Sequence, residues 1–344
     1  MKVGRIDKVL HNDLMRAVAL VVLALLFAQT LPVQAQPTQA QTQAQPQVQT
    51  PQPALLRAVV VSPGVWALVG PISGPSRDNH ALNATYGVVA TAEGAILIDS
   101  GASAQGARML ADMAQQLTGQ AVRWVINTGS QHHRWLGNDQ LRKAGAQLVA
   151  HTRTVQTQRA LASAKTVEAR AVLGERFDGT QVAFADDRGL SGARTELTLG
   201  GVRIELLDLG DAHFPGDVVV WLPASRTAFA GDLVYVERLL SVAPESKVSS
   251  WLRAFDRLMA LTPTHIVPGH GAPTNVHMAQ TQTGAYLRFV VDGVQRHAKE
   301  MAGVEAAVAE LREAPAFAKL ANFDLLHRGN INRAYLRAEA GTDN

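Results

Sequence analysis

The chain contains no cysteine among its 344 residues. That absence excludes disulfide staples, thiolate metal ligands, a Cys nucleophile and a lipid anchor on an N-terminal Cys. Aromatic residues are scarce at 5%, and charge is nearly balanced, with a net +3. Within the first 35 positions Lys2, Arg5, Lys8 and Arg16 stand against Asp7 and Asp13, so the remainder carries only about +1. No dense Lys/Arg tract follows, which argues against a nucleic-acid partner. A G-x-G-x-x-G fingerprint after the first strand is also missing, which disfavours a dinucleotide-binding fold. Hydrophobic residues make up 47% of the chain, ample for a large core.

The N-terminus has its own pattern. The four basic residues precede an apolar run, Ala17 to Ala28 (AVALVVLALLFA), which is followed by Pro32 and Val33-Gln34-Ala35. A basic start, a short apolar stretch and a small-residue end read as a secretory signal peptide over 1–35, cut near Ala35. The run falls short of the ~20 apolar residues that span a bilayer, so no stable membrane span is expected after cleavage. The expected destination is the periplasm or the exterior. Residues 36–54 are almost all Gln, Thr, Ala and Pro, a composition with nothing to bury, and predict a disordered linker.

From residue 55 the pattern changes. Val59–Val61 and Val65–Val69 flank Pro63-Gly64 as a hairpin, and 83–89 with 95–99 form a second around Glu93-Gly94. Apolar Met109, Leu110, Met113 and Leu117 predict a helix over 104–117. Strands follow at 122–126 and 147–150, a loop from Asn127, and a helix over 155–164. Further strands are expected at 196–199, 202–209, 217–222, 228–230 and 265–267, with a helix at 249–261. Helices fill most of 276–336. Hairpins with helices interspersed after each set predict an α/β fold, a four-layer αββα sandwich of two packed sheets with helices outside. The domain is expected over 55–275, with 276–344 a helical extension packed on it.

Three segments carry ligand-type side chains at strand ends beside glycine. They are Gly210-Asp211-Ala212-His213-Phe214-Pro215-Gly216-Asp217, Phe229-Ala230-Gly231-Asp232 and Pro268-Gly269-His270-Gly271. Imidazole and carboxylate together suit zinc or another divalent first-row metal. Any one of the three alone is a weak signal, since a lone His or Asp at a strand end is commonly structural.

Together with Asn83, Gly94, Leu97-Ile98-Asp99-Ser100-Gly101 and Ile126-Asn127-Thr128, these segments resemble the metallo-β-lactamase superfamily over roughly residues 57–275. The resemblance implies that His213, Asp232 and His270 are metal ligands and that the chemistry is hydrolysis by metal-activated water, with zinc as the expected metal. The chain departs from the family at its first motif. After Asn-Thr the family pattern is H-x-H-x-D-H, whereas here the stretch reads Gly129-Ser130-Gln131-His132-His133-Arg134-Trp135. Gly129 and Gln131 take the two leading His positions, His133 the Asp position and Arg134 the last His position. A one-residue slip puts His132 and His133 on the D-H pair instead. Either register loses the leading H-x-H, so one metal ion is expected rather than two. The expected ligands are His133, His213, Asp232 and His270, with His132 as the alternative of the slipped register.

Other roles are read from the chemistry of the side chains, with a salt bridge or a turn cap as the alternative for the charged ones. Asp232 is a candidate proton acceptor, Arg134 and Gln131 are candidates for contacting the small-molecule substrate, and Asp99 and Asp217 for orienting imidazoles from behind. Trp135 is read as core. The N-T-G-x-Q-x-H-R-W-L-G-N stretch and Gly329–Tyr335 are similar to an exported subgroup associated with sulfur-oxidation and quinoprotein systems. The hydrolase reading leaves acyl, thioester and lactam-like substrates open. The competing expectation is a non-catalytic accessory protein that binds a periplasmic quinoprotein-pathway partner. A phosphodiesterase is disfavoured because that chemistry commonly uses two metals.

Overall fold

The computed structural model describes residues 55–186 and 189–343. The expected signal peptide and linker lie outside the described residues.

The first sheet has six strands in sequence order: β1 (Arg57–Ser62), β2 (Val65–Val69), β3 (Thr85–Ala90), β4 (Ala95–Ile98), β5 (Val122–Asn127) and β6 (Gln147–Ala150). The first four pair antiparallel, while β4, β5 and β6 run parallel through helical crossovers. Those crossovers are α1 (Ala104–Thr118) and the pair α2 (His132–Trp135) and α3 (Asn138–Lys143). The long helix α4 (Thr152–Leu173) leads to the second sheet. That sheet holds β7 (Arg194–Leu199), β8 (Val202–Leu207), β9 (Val219–Leu222), β10 (Thr227–Tyr235) and β11 (His265–His270), in the order β11-β10-β9-β8-β7. Helix α5 (Val248–Ala260) joins β10 to its parallel neighbour β11. Then follow α6 (Val276–Ala279), a π-helical stretch (Gln280–Gly284), α7 (Ala285–Lys299), α8 (Val304–Glu310) and α9 (Phe323–Glu339).

Period-two alternation explains the layering. In β4, Ile96 and Ile98 point to the other sheet and meet Ile204, Leu206, Val220 and Phe229. Ala95 and Leu97 point the opposite way, into a cluster with Ala107 and Leu110 of α1. In β10, Phe229 faces the inter-sheet core while Ala228 and Ala230 face Trp251, Phe255 and Tyr286 of the outer helices. Successive strand residues thus serve different faces, and the result is the αββα sandwich. Helices α7 and α9 share one core with the second sheet through Val290, Val294, Ile331 and Tyr335.

Two local expectations needed correction. Helix α4 runs well past Ala164, and residues 132–135 form a helical turn where a loop was expected. A single turn contains too few residues to show a 3.6-residue period. In α4 the apolar positions are too evenly mixed with polar ones to mark its end.

Candidate metal centre

Five strand ends and loops converge on one rim of the sandwich. β4 ends at Asp99, whose φ of 66° turns the chain sharply at the strand end. β5 ends at Asn127, and its side chain fixes the turn that follows: Asn127 Nδ2 donates to the Arg134 carbonyl (3.0 Å) and Asn138 Nδ2 donates back to Asn127 Oδ1 (2.8 Å). This clamp starts α2 so that His133 and Arg134 point into the protein. β10 carries Asp232 in a fully buried stretch, and β11 ends at His270.

His133, Asp232 and His270 form the tight group. His133 Nε2 lies 3.2 Å from Asp232 Oδ2, and His270 Nε2 lies 3.3 Å from Asp232 Oδ1. All three are buried, and one ligand atom from each falls within 4.8 Å of the others. His270 Nδ1 sits 2.8 Å from the Asn83 carbonyl oxygen. A carbonyl only accepts, so Nδ1 bears the proton and Nε2 turns a lone pair toward the carboxylate. Burial drives His270 down to about 4 against the pull of the Asp232 charge, so it is neutral near pH 7. Burial, reinforced by the charge of Arg134, drives His133 to about 3. Two neutral imidazoles facing one carboxylate are a donor set for a cation. Each imidazole-to-carboxylate distance matches the ~3.3 Å between ligand atoms held at ~2.0–2.1 Å around tetrahedral zinc. The residues present therefore fit one divalent ion.

Arg134 is the residue that sets this site apart. Its side chain has no exposed surface. Nη2 and Nε donate to the two oxygens of Asp232 (2.6 and 3.3 Å), and Nη1 donates to Asp99 Oδ2 (3.0 Å). Backbone oxygens of Thr85 and Gly269 take the remaining bonds. Every guanidinium donor is spent inside the protein, so Arg134 does not face substrate, contrary to expectation. Gly269 is required here: a Cβ on it would fall 2.5 Å from Asp232 Oδ1 and 2.6 Å from Arg134 Nη2.

The ion pair also decides the state of Asp232. Burial alone would raise it, but the Arg134 guanidinium and His133 outweigh burial and hold it well below the usual carboxylate range. A carboxylate so stabilised is a weak base. Asp99 bonds Thr128 and Arg134 rather than an imidazole; burial lifts it to about 6 against the pull of Arg134. Asp217 accepts from the Phe214 backbone N–H and likewise orients no imidazole through a direct bond. Its role is to hold the loop that carries His213.

His213 lies beside the group but is diverted from it. Its Nδ1 is 3.8 Å from Asp232 Oδ2, and Gln131 Nε2 donates to that same nitrogen at 2.5 Å. The lone pair a metal would use is engaged by an amide. Gln131 fits this place because residue 129 is glycine: a Cβ there would meet Gln131 Oε1 at 2.6 Å. His132 is outside the group, with Nδ1 3.9 Å from Glu168 Oε2. Trp135 is core, stacked on Phe184.

The group opens into a cleft of about 290 Å³ whose walls include Gln131, His133, His213, Phe214, Tyr235 and His270. Three wall residues escaped sequence reasoning. Asn83 was noted only as part of a motif, Tyr235 stacks on His270 at 4.8 Å, and Arg238 sits in an apolar stretch with no motif around it.

Residues 81–270 match the sequence profile of the Metallo-beta-lactamase superfamily, and the chain belongs to that superfamily. Among curated proteins it is 30% identical over 83 residues to the 2,4-dinitroanisole O-demethylase subunit alpha of Nocardioides sp. (strain JS1661), covering 24% of this chain and 25% of that protein. It is 29% identical over 79 residues to a metallo-beta-lactamase type 2 of Bacteroides fragilis, covering 22% and 32%. The chain thus spans a quarter to a third of the length of these relatives. Among solved structures it resembles a metallo-beta-lactamase from Pontibacter korlensis, with a TM-score of 0.52 and 22% identity over 68% of this chain and 99% of that one. The fold is that of the metallo-β-lactamases, and members of the superfamily are metal-dependent hydrolases that bind divalent metals.

Proposed function

We propose that the protein is an exported hydrolase that works with a single divalent ion, zinc by the chemistry of its donors, on an acyl, thioester or lactam-like substrate. The observation that carries this reading is the buried His133–Asp232–His270 group, whose three ligand atoms lie within 4.8 Å of one another, with His270 Nδ1 fixed on the Asn83 carbonyl. A bound ion would polarise the substrate carbonyl and make a water acidic enough to attack near neutral pH. The chain's own residues do the rest. Asn83 fixes the tautomer of His270, Arg134 and Asp99 orient Asp232, and Tyr235 stacks on the His270 ring. Arg134 brings a fixed positive charge against Asp232, and Gln131 occupies the His213 nitrogen, so the protein itself satisfies what a second ion would otherwise bind. The leader-like sequence supports export to the periplasm, and the motif likeness to the quinoprotein-associated subgroup supports a place in such a pathway.

One observation favours the second reading, a non-catalytic binding protein: both oxygens of Asp232 are already bonded by Arg134, and Gln131 stands on the His213 nitrogen. The test is bound metal on the purified chain, then hydrolysis of acyl and thioester probes by wild type and His270→Ala. One equivalent of zinc, with turnover lost in His270→Ala, supports the hydrolase. Well below one equivalent under replete conditions ends it. Metal without turnover moves the assignment to the binding protein.

A further inference from the structure

The segment between β10 and α5 is buried but irregular. Leu239, Leu240 and Val242 are at most 2% exposed, yet residues 239–243 belong to no strand or helix. Buried backbone of this kind carries polar groups that no ladder satisfies. One side chain satisfies two of them. Asn330 of α9, fully buried, accepts from Val242 N–H at Oδ1 and donates from Nδ2 to the Leu240 carbonyl, both at 2.8 Å. It pairs with residues 240 and 242 as one residue of a parallel neighbouring strand would.

A chain of bonds holds the amide in this orientation. His327 Nε2 lies 2.8 Å from the Leu311 carbonyl, so Nε2 bears the proton and Nδ1 accepts from the Tyr286 hydroxyl at 3.0 Å. That hydroxyl in turn accepts from Asn330 Nδ2 at 3.0 Å. Arg337, about two turns further along α9, donates from Nε to the Pro244 carbonyl at 3.0 Å and continues the brace.

The braced segment closes on His213. Ser246 Oγ donates to the His213 carbonyl, and Ser241 and Ala243 stand beside His213 in the cleft wall. The Ser241 backbone bonds the His213 ring in the sense that favours a proton there, as only its carbonyl can. Gln131 already occupies Nδ1, so the carbonyl takes Nε2–H. Gln131 and Asn330 therefore act on opposite nitrogens of one ring, the first directly and the second through residues 240–242.

We infer that Asn330 is a positioning residue of the candidate metal centre: by clamping residues 240 and 242 it aims the Ser241 carbonyl at His213 and fixes that ring as the Nε2–H tautomer, whose Nδ1 lone pair Gln131 then occupies. Asn330 is not part of the cleft wall and acts only through the backbone it holds. This gives the Gly329–Tyr335 stretch a task. It deepens the hydrolase reading, on which its part in any reaction rests, but the clamp itself needs no ion.

The test is the magnetic resonance of the His213 ring in the full chain, isotope-labelled at histidine and read near neutral pH with and without zinc. The signal is assigned by its loss in His213→Ala. Wild type should show the Nε2–H tautomer alone in both forms. Asn330→Ala should mix the two tautomers and speed exchange of the ring N–H with water at least about tenfold, because the loop opens locally, while His270 keeps its Nδ1–H. His327→Leu loosens the same core without touching residues 240 and 242, and should leave His213 as in wild type. Any wild-type ring other than Nε2–H alone overturns the inference. So does a His213 signal unmoved in Asn330→Ala, or an equal change in His327→Leu. Should Asn330→Ala fail to fold, Asn330→Asp decides. It still accepts from Val242 but turns an oxygen on the Leu240 carbonyl, so it too should mix the tautomers, and an unmoved ring overturns the inference. A chain that passes these tests but takes up no zinc would refute the hydrolase reading and leave the clamp standing; one that binds zinc but fails them does the reverse.

Discussion

Arg134 grips both carboxylate oxygens of Asp232, at 2.6 and 3.3 Å, in a site with no solvent-exposed surface on either side chain. The pair ties α2 to β10 and so joins the two sheets at the functional rim. A guanidinium cannot lose its proton at working pH, so this positive charge is permanent, unlike that of a metal ion. It is the structural counterpart of the broken ligand motif.

Removing the guanidinium should be costly. Arg134→Met would leave Asp99 and Asp232 buried without a counter-charge, and breaking such a pair costs about 3–5 kcal/mol. Urea unfolding of the metal-free chain should show a loss of that order. A loss under ~1 kcal/mol would mean that water, not Arg134, satisfies the two carboxylates.

His270 and His213 should differ sharply as ligands. His270→Ala removes a nitrogen whose lone pair faces Asp232, so zinc affinity should fall at least a hundredfold. His213→Ala removes a nitrogen already bonded to Gln131, so affinity should fall less than tenfold. Competition with a chelator of known affinity measures both. Equal losses would place His213 in the coordination set.

Stability of the metal-free chain should fall as pH drops. His132 and His133 are pushed to about 3, chiefly by burial, and His213 and His270 to about 4. The unfolded chain takes up these protons near 6.5, whereas the folded chain resists them. Their contribution is therefore fully present above 6.5 and is lost as pH falls toward 4. Asp99, raised to about 6, and Asp217, pushed well above its usual value, both by burial, work in the opposite sense: their contribution is present below the usual carboxylate value and lost as pH rises through their folded values. Four imidazoles outweigh them, so the melting temperature should drop between pH 6.5 and 4.5. A flat or rising profile would show that the imidazoles are solvated.

Much of this was legible in the sequence because strand ends advertise themselves. Apolar alternation and flanking glycines marked β4, β10 and β11, and with them Asp99, Asp232 and His270. What was not legible were relationships between side chains distant in the chain. Nothing in Gln131-His132-His133-Arg134 says which ring points inward; the Asn127–Asn138 clamp decides that in space. Nor does sequence reveal that Gln131 would engage His213, 82 positions away. Arg134 shows the same limit: a charged residue reads as solvent-facing unless its buried partners, here Asp99 and Asp232, are known.

The central claim is one ion, held by His133, Asp232 and His270, with Arg134 and Gln131 taking what a second would need. Elemental analysis of the chain, saturated with zinc and then freed of loosely bound metal, tests it most directly, with His270→Ala alongside. The account predicts one equivalent in wild type and a small fraction of that in the variant. Two equivalents, or one that survives His270→Ala, would contradict it.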